Sequence, residues 1–173
     1  GEKAVAALVD MQFDEAKLRW VNAQHIKSTA NATLAPLVVE QLRRRGIEAE
    51  ANAHLEEVIE LFKDRCSTTV EIADWAAMYF APVAPSSADL DAHLTPLVRP
   101  AVETLRDALV NADWSRASIQ QCVKDTLAAH KLKMPQLAMA VRVLVCGRSQ
   151  TPSLDAVLAL FAKDVVLARL RVV

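Results

Sequence analysis

LAMAVRVLVCGRSQTPSLDAVLALF, residues 137–161, decides how the rest of this chain is read. Its first ten residues are apolar apart from Arg142, and Gly147 follows them at once. Glycine ends helices because it enters the left-handed backbone region without a side-chain clash. Pro135 stands where the run begins, and a proline is tolerated in a first helical turn because its missing N–H has no partner there anyway. The stretch therefore predicts a helix opened by Pro135 and closed by Gly147. After a short turn, Thr151-Pro152 repeats the cap-and-proline start and leads into a second helix, Leu154 to Phe161, with a final short helix over Val165 to Leu170. Both apolar runs are far shorter than the roughly 20 residues that cross a bilayer.

Working outward, the whole chain has the same character. It has 173 residues, 53% of them hydrophobic, with 3 glycines and 5% aromatics. Strands favour aromatic and β-branched residues and need glycine-bearing turns, so this composition predicts an all-α protein with a substantial core. Phe13 and Asp14 read as a staple and an N-cap for a helix through AKLRWVNAQHIK, whose Leu18, Val21, Asn22, His25 and Thr29 share one stripe. A second helix is expected over Thr33 to Arg45, stopped by Gly46. Leu55, Val58, Ile59 and Phe62 at helical spacing predict a third over Glu50 to Arg65. Thr68 and Glu71 make a capping box for a fourth, with Ile72, Ala76, Tyr79 and Phe80 on its face.

APVAPSS, Ala81 to Ser87, is the one Pro/Ser-rich stretch, and it places the boundary between two helical subdomains, 1–86 and 87–173. Beyond it, Thr95-Pro96 starts a helix toward Asn111 that Pro100 bends. Asp113-Trp114-Ser115 restarts the chain into a helix with Ile119, Cys122, Val123 and Leu127 on its buried face.

Cys66, Cys122 and Cys146 are odd in number and lie in apolar surroundings, as suits free thiols in a reducing compartment, and a cytoplasmic location is expected. No cysteine or histidine pair has metal-ligand spacing, so no metal is expected. Gly1 to Asp10 has neither an initiator methionine nor a secretory pattern, so the chain reads as an excised piece with Gly1 a cloning remnant. Net charge is −1, yet its distribution is uneven: from Lys124 onward 8 Lys and Arg face 3 Asp and Glu. That excess matches an electrostatic footprint on phosphates and equally an ordinary solvated surface.

Arg142 is the most informative single residue. A guanidinium taken out of water needs acceptors, so Arg142 either pairs internally or lines a site where a ligand supplies them. Arg148, in the turn with Gly147 and Ser149, stands beside the helix start at Thr151 and Pro152, where an anion or base edges could be received. Arg65 ends the third helix in a seam with Val58 and Phe62, placing a long donor at the rim of a packed face. Trp20 and Trp114 are expected as core anchors whose indole N–H groups need partners.

Read in order, Lys17-Leu18-Arg19-Trp20-Val21-Asn22, Leu94-Thr95-Pro96, Asp113-Trp114-Ser115 and above all AVRVLVCGRSQTPSLDAVLALFAKDVVLARL, 140–170, resemble the C-terminal region of bacterial glutamyl-tRNA synthetases, a class I aminoacyl-tRNA synthetase family. The resemblance implies an α-helical cage that holds the anticodon loop of glutamate tRNA. It also implies a separate catalytic domain that uses ATP and Mg. Neither that domain's His-x-Gly-His type signature nor its Lys-rich ATP loop occurs here, so no catalytic residue or cofactor is expected in this chain. By the same resemblance Arg142 matches an arginine that contacts anticodon bases, and Thr151, Pro152 and Leu154 match the turn around the first anticodon base. Arg65 matches the arginine that reads the third base, where it favours cytosine over guanine and so glutamate over glutamine tRNA. The sequence departs from many relatives at Ala162, where they have glycine, and around Arg43 to Ala53. A monomer that binds tRNA, and neither DNA nor membrane, is the expected behaviour. The competing readings are a helical ligand-binding or dimerisation domain of a transcriptional regulator, which requires an apolar cavity, and a scaffold whose arginines are all paired internally.

Overall fold

The computed structural model describes the backbone of residues 2–172 and the side chains of residues 15–172. Ten α-helices and two 3-10 turns, with no strand, are found among the described residues. The chain divides into two compact units, Gly1–Phe80 and Ala81–Val173.

The first unit holds α1 (Glu2–Ser28), α2 (Asn31–Arg43), α3 (Ala53–Phe62) and α4 (Thr69–Ala76), with 3-10 turns at Lys63–Arg65 and Ala77–Tyr79. α2 packs on both α3 and α4. Leu34, Val38, Leu42, Leu55, Val58, Ile59, Phe62 and Ile72 interlock there with almost no exposed surface. Phe62 stacks on Trp75 with ring centroids 4.9 Å apart. A stacked aromatic pair of this kind adds about 0.5–1.5 kcal/mol to the area it hides.

Local chemistry sets the element ends. Asn52 caps α3, accepting from Leu55 N at 3.0 Å, so that helix starts later than its apolar spacing alone indicates. It also stops earlier: after Phe62 the backbone tightens into the 63–65 turn. Thr68 Oγ1 accepts from Glu71 N at 3.1 Å as the capping box predicts, but Glu71 returns its bond to Ser67 N rather than to Thr68 N. Gly46, at φ 76°, ends the turn after α2.

Two expectations for the first helix need correction. Its backbone is already helical from Glu2, so Asp14 does not begin it, and the side chains of Phe13 and Asp14 lie outside the described residues. Trp20 is not a core anchor: it is 65% exposed, and Leu18 and Val21 are exposed with it. Only Ile26 of the described α1 side chains is fully buried, because α1 meets its own unit chiefly around the 63–65 turn.

The second unit holds α5 (Ser87–His93), α6 (Arg99–Val110), α7 (Arg116–His130), α8 (Met134–Cys146), α9 (Leu154–Ala159) and α10 (Lys163–Arg169). α8 touches α5, α6 and α10, and α7 lies against α6 and α9. Leu105, Leu109, Ile119, Leu137, Val141, Leu158 and Leu170 form the core. α5 is unforeseen, a seven-residue helix capped by Ser86, whose hydroxyl accepts from Asp89 N at 3.1 Å. Thr95-Pro96 opens a turn, not α6, which begins at Arg99 with Pro100 in its first turn; Pro100 therefore starts the helix instead of bending it. Cys66 and Cys146 are buried, while Cys122 is half-buried.

Trp114 takes a left-handed backbone conformation, φ 66°, uncommon for a bulky side chain. Its indole N–H donates to Phe161 O at 2.8 Å, and Lys163 sits 5.8 Å over the ring while donating to Val110 O and Ala112 O. These bonds hold the start of α7 and the start of α10 together.

Candidate nucleic-acid interface

α8 buries Val141 and Val143 on either side of Arg142, so the backbone fixes where the guanidinium leaves the helix. Gly147, at φ 73°, ends that helix and turns the chain back toward it. The returning segment then meets Arg142. Its Nε donates to Thr151 Oγ1 at 2.9 Å, and its Nη2 donates to Pro152 O at 3.3 Å. The Thr151 hydroxyl spends its own proton on Pro152 O at 2.8 Å, which leaves its lone pairs for Arg142.

Thr151 is therefore not the N-cap of α9. Ser153 holds that place and makes no side-chain cap bond, and α9 is only six residues long. The cap-and-proline pattern was a sound signal for a helix start within three residues, but Thr151 serves the preceding helix. The question posed by Arg142 has a specific answer as well. Its partners are internal, yet both are neutral oxygens, and it forms no ion pair among the described residues. Burial pulls its pKa below the ordinary arginine value. An arginine still keeps its proton, so a positive group with unused N–H donors stands at the turn.

The other residues singled out for this turn divide by exposure. Pro152 and Leu154 are buried, Leu154 at 2%, so their side chains face the core and not the solvent. Arg142, Thr151 and Arg148 are half-buried and can present polar atoms outward. Arg148 is engaged with its surroundings and lies close enough to Cys146 for its charge to bear on that thiol. So do Arg142 and Arg169. Burial nevertheless dominates and pushes the Cys146 thiol up to about 12. Asp155, the nearest acid in sequence to the turn, is taken by Arg116 at 3.0 Å.

Arg65 belongs to the first unit and is built differently. It ends the 63–65 turn and is exposed, and its side chain makes no hydrogen bond or ion pair among the described residues. It does not continue the seam of Val58 and Phe62, which are buried completely, because the switch to 3-10 geometry rotates it off that face. The turn itself is anchored. Lys63 Nζ donates to Asn31 Oδ1 at 2.9 Å and pairs with Glu60 at 3.4 Å. Glu60 is held below the usual carboxylate range first by Asn31 and then by the Lys63 charge. Neighbouring Cys66 is pushed up to about 11 by burial, with Arg65 opposing that rise.

One residue at the second-unit turn escaped the sequence reading. Arg169 Nη1 donates to Val145 O at 2.8 Å, its Nη2 donates to Ala81 O at 3.1 Å, and its guanidinium lies 5.2 Å over Phe161. The signal was present: VVLARL, 165–170, holds a single charge in an apolar run, as LAMAVRVLVC does.

A cleft of about 400 Å³ elsewhere in the second unit is lined by Glu103, Arg106, Asp107, Leu170, Arg171 and Val172, and so is not the apolar cavity that a buried hydrophobic ligand needs. No helix of the described residues is long and apolar enough to cross a membrane.

Comparison with known proteins gives consistent results. The family model described as anticodon binding domain matches residues 24–173. The glutamate–tRNA ligase of Leptothrix cholodnii is 58% identical over 161 residues, covering 92% of this chain and 34% of that protein. The glutamate–tRNA ligase of a Polaromonas species is 53% identical over 161 residues, covering 93% of this chain and 35% of that one. The chain thus spans about a third of the length of these curated relatives. Among solved structures, a glutamate tRNA ligase from Elizabethkingia meningosepticum shares the fold with a TM-score of 0.78 at 19% identity, over 88% of this chain and 30% of that chain.

Proposed function

Because this chain belongs to the anticodon binding domain family, we propose that it is the tRNA anticodon-binding region of a glutamate–tRNA ligase. In this reading it grips the anticodon loop of glutamate tRNA as a cytoplasmic monomer. A catalytic part outside this sequence attaches glutamate to the tRNA with ATP and Mg, and this chain alone does not aminoacylate.

The observation that carries the reading is the Arg142–Thr151–Pro152 arrangement. A cation tied to neutral oxygens keeps its charge available, and a guanidinium fixed at two points presents its remaining donors in a set direction. Single-stranded bases splayed from a loop are recognised by donors of this kind at their edges, together with stacking and phosphate contacts. On this reading Arg142 donates to anticodon bases, Pro152 and Leu154 support the turn around the first base, Thr151 orients Arg142, and Arg148 adds a charge for the backbone. Arg65 reads the third base from the first unit, where a long exposed donor suits cytosine acceptors and leaves guanine disfavoured.

The test is a binding titration of the chain with glutamate tRNA and with the same tRNA carrying a swapped anticodon, across a salt series. The expected result is tighter binding of the cognate anticodon and affinity that falls steeply with salt. Equal affinity for the two tRNAs overturns anticodon readout.

A further inference from the structure

We infer that Arg169 is a positioning residue for anticodon readout: it locks the Gly147–Pro152 turn by clamping two separate backbone segments, and contacts no part of the tRNA itself. The inference rests on the proposed function and concerns the same site.

The clamp has two independent arms. From α10, Arg169 Nη1 reaches Val145 O, one of the last carbonyls of α8, which has no partner within its own helix. Nη2 reaches Ala81 O, in the non-helical segment that precedes α5. The guanidinium face is covered by Phe161. One planar group thereby ties α8, α10 and the 81–86 segment together two residues before Gly147. A second observation places the 81–86 segment against the turn. A Cβ added at Gly147 would stand 3.3 Å from Val83 Cβ, so a side chain there would press on Val83 as well as strain the backbone at φ 73°. If the Ala81 segment shifts, Val83 shifts against Gly147. The direction in which the chain returns toward Arg142 through Thr151 and Pro152 then changes.

A fork of two parallel donors is something lysine cannot supply, since its ammonium is a single point on a flexible stem. The orientation of the clamp also argues against a direct tRNA contact. Both Arg169 bonds go to backbone carbonyls of two different segments and one face of the guanidinium lies on Phe161, so the group is turned toward the chain's own backbone and core. The charge of Arg169 bears inward on Cys146, which is 4% exposed.

Arg169→Lys and Arg169→Ala are measured in the salt titration with cognate and anticodon-swapped tRNA, alongside amide hydrogen exchange of 147–152 without tRNA. The expected result is that both variants lose about tenfold of the preference for the cognate anticodon, the worth of one well-placed base contact. The salt slope of Arg169→Ala stays that of the parent chain, and exchange across 147–152 quickens in both variants. Full preference in Arg169→Lys overturns the clamp, because charge alone would then suffice. A salt slope lowered by about 1 in Arg169→Ala with preference intact overturns it in favour of a direct phosphate contact. Should Arg169→Ala fail to fold, Arg169→Lys and its exchange rates still decide. If the parent chain itself shows no preference, the anticodon reading fails, and unchanged exchange in Arg169→Lys is then what sinks the clamp.

Discussion

Arg65 in the first unit and Arg142 in the second stand beside buried cysteines and are both proposed to meet anticodon bases, yet the chain treats them in opposite ways. Arg142 leaves the middle of a thirteen-residue helix, is half-buried, and is fastened to Thr151 and Pro152. Arg65 ends a three-residue 3-10 turn and extends from it exposed. A donor braced at two points loses little freedom when a base arrives, whereas a free side chain must be ordered at a cost of roughly 0.5–1.5 kcal/mol. The braced arginine suits a strict contact; the free one suits a contact whose strength depends on which base meets it. Stability should therefore couple to Arg142 and not to Arg65.

The largest effect tests the core beside the braced site. Leu154→Ala removes a side chain 2% exposed, and should cost about 2–5 kcal/mol in urea unfolding as well as the anticodon preference. A loss under 1 kcal/mol would mean that the turn does not rest on Leu154. Next, Thr151→Val keeps the side-chain shape and deletes the acceptor for Arg142, leaving a half-buried guanidinium short of a bond. About 1–3 kcal/mol of stability and much of the preference should go together, read by thermal melting and tRNA titration on one preparation. Preference kept at full strength would separate Arg142 from its brace.

Arg65→Gln should leave stability within about 0.5 kcal/mol of the parent. It should narrow the difference in Kd between glutamate and glutamine tRNA. An unchanged ratio of the two dissociation constants removes Arg65 from that role.

The gentlest probe is alkaline pH. Cys66 and Cys146 are raised by burial to about 11 and about 12, against an ordinary value of 9.0. Below 9 both states keep the thiol proton and stability is flat. Above it only the unfolded state ionises readily, so stability should decline as pH rises from 9 toward 12. Cys146→Ser should flatten the upper part of that decline in denaturant melts at stepped pH, and a decline of undiminished steepness would assign it to other groups.

The same two regions show what a sequence can disclose. α8, its stop at Gly147 and the isolated charge of Arg142 were all legible, because a long apolar run makes both its ends and its exceptions conspicuous. The partners of Arg142 are half legible: the Thr151-Pro152 pattern announces a helix start, whereas the hydroxyl serves the helix before it. At Arg65 the helical period was followed three residues too far, since nothing in Lys63-Asp64-Arg65 announces that the hydrogen bonding tightens to 3-10. The exposure of Trp20 is hidden for a related reason. Its position in an amphipathic pattern says that a face exists but not whether anything in this chain covers it. Arg169 carries the same mark as Arg142, but its acceptors, Val145 O and Ala81 O, are backbone atoms that no side-chain pattern reveals.

The most direct measurement is a double-mutant cycle between Arg142 and the first anticodon base. Kd is determined for the parent chain and Arg142→Ala, each with glutamate tRNA and with a variant changed only at that base. The expected coupling is about 1–3 kcal/mol, so that the base change costs the parent chain dearly and Arg142→Ala almost nothing. A base change that costs both proteins the same would contradict it.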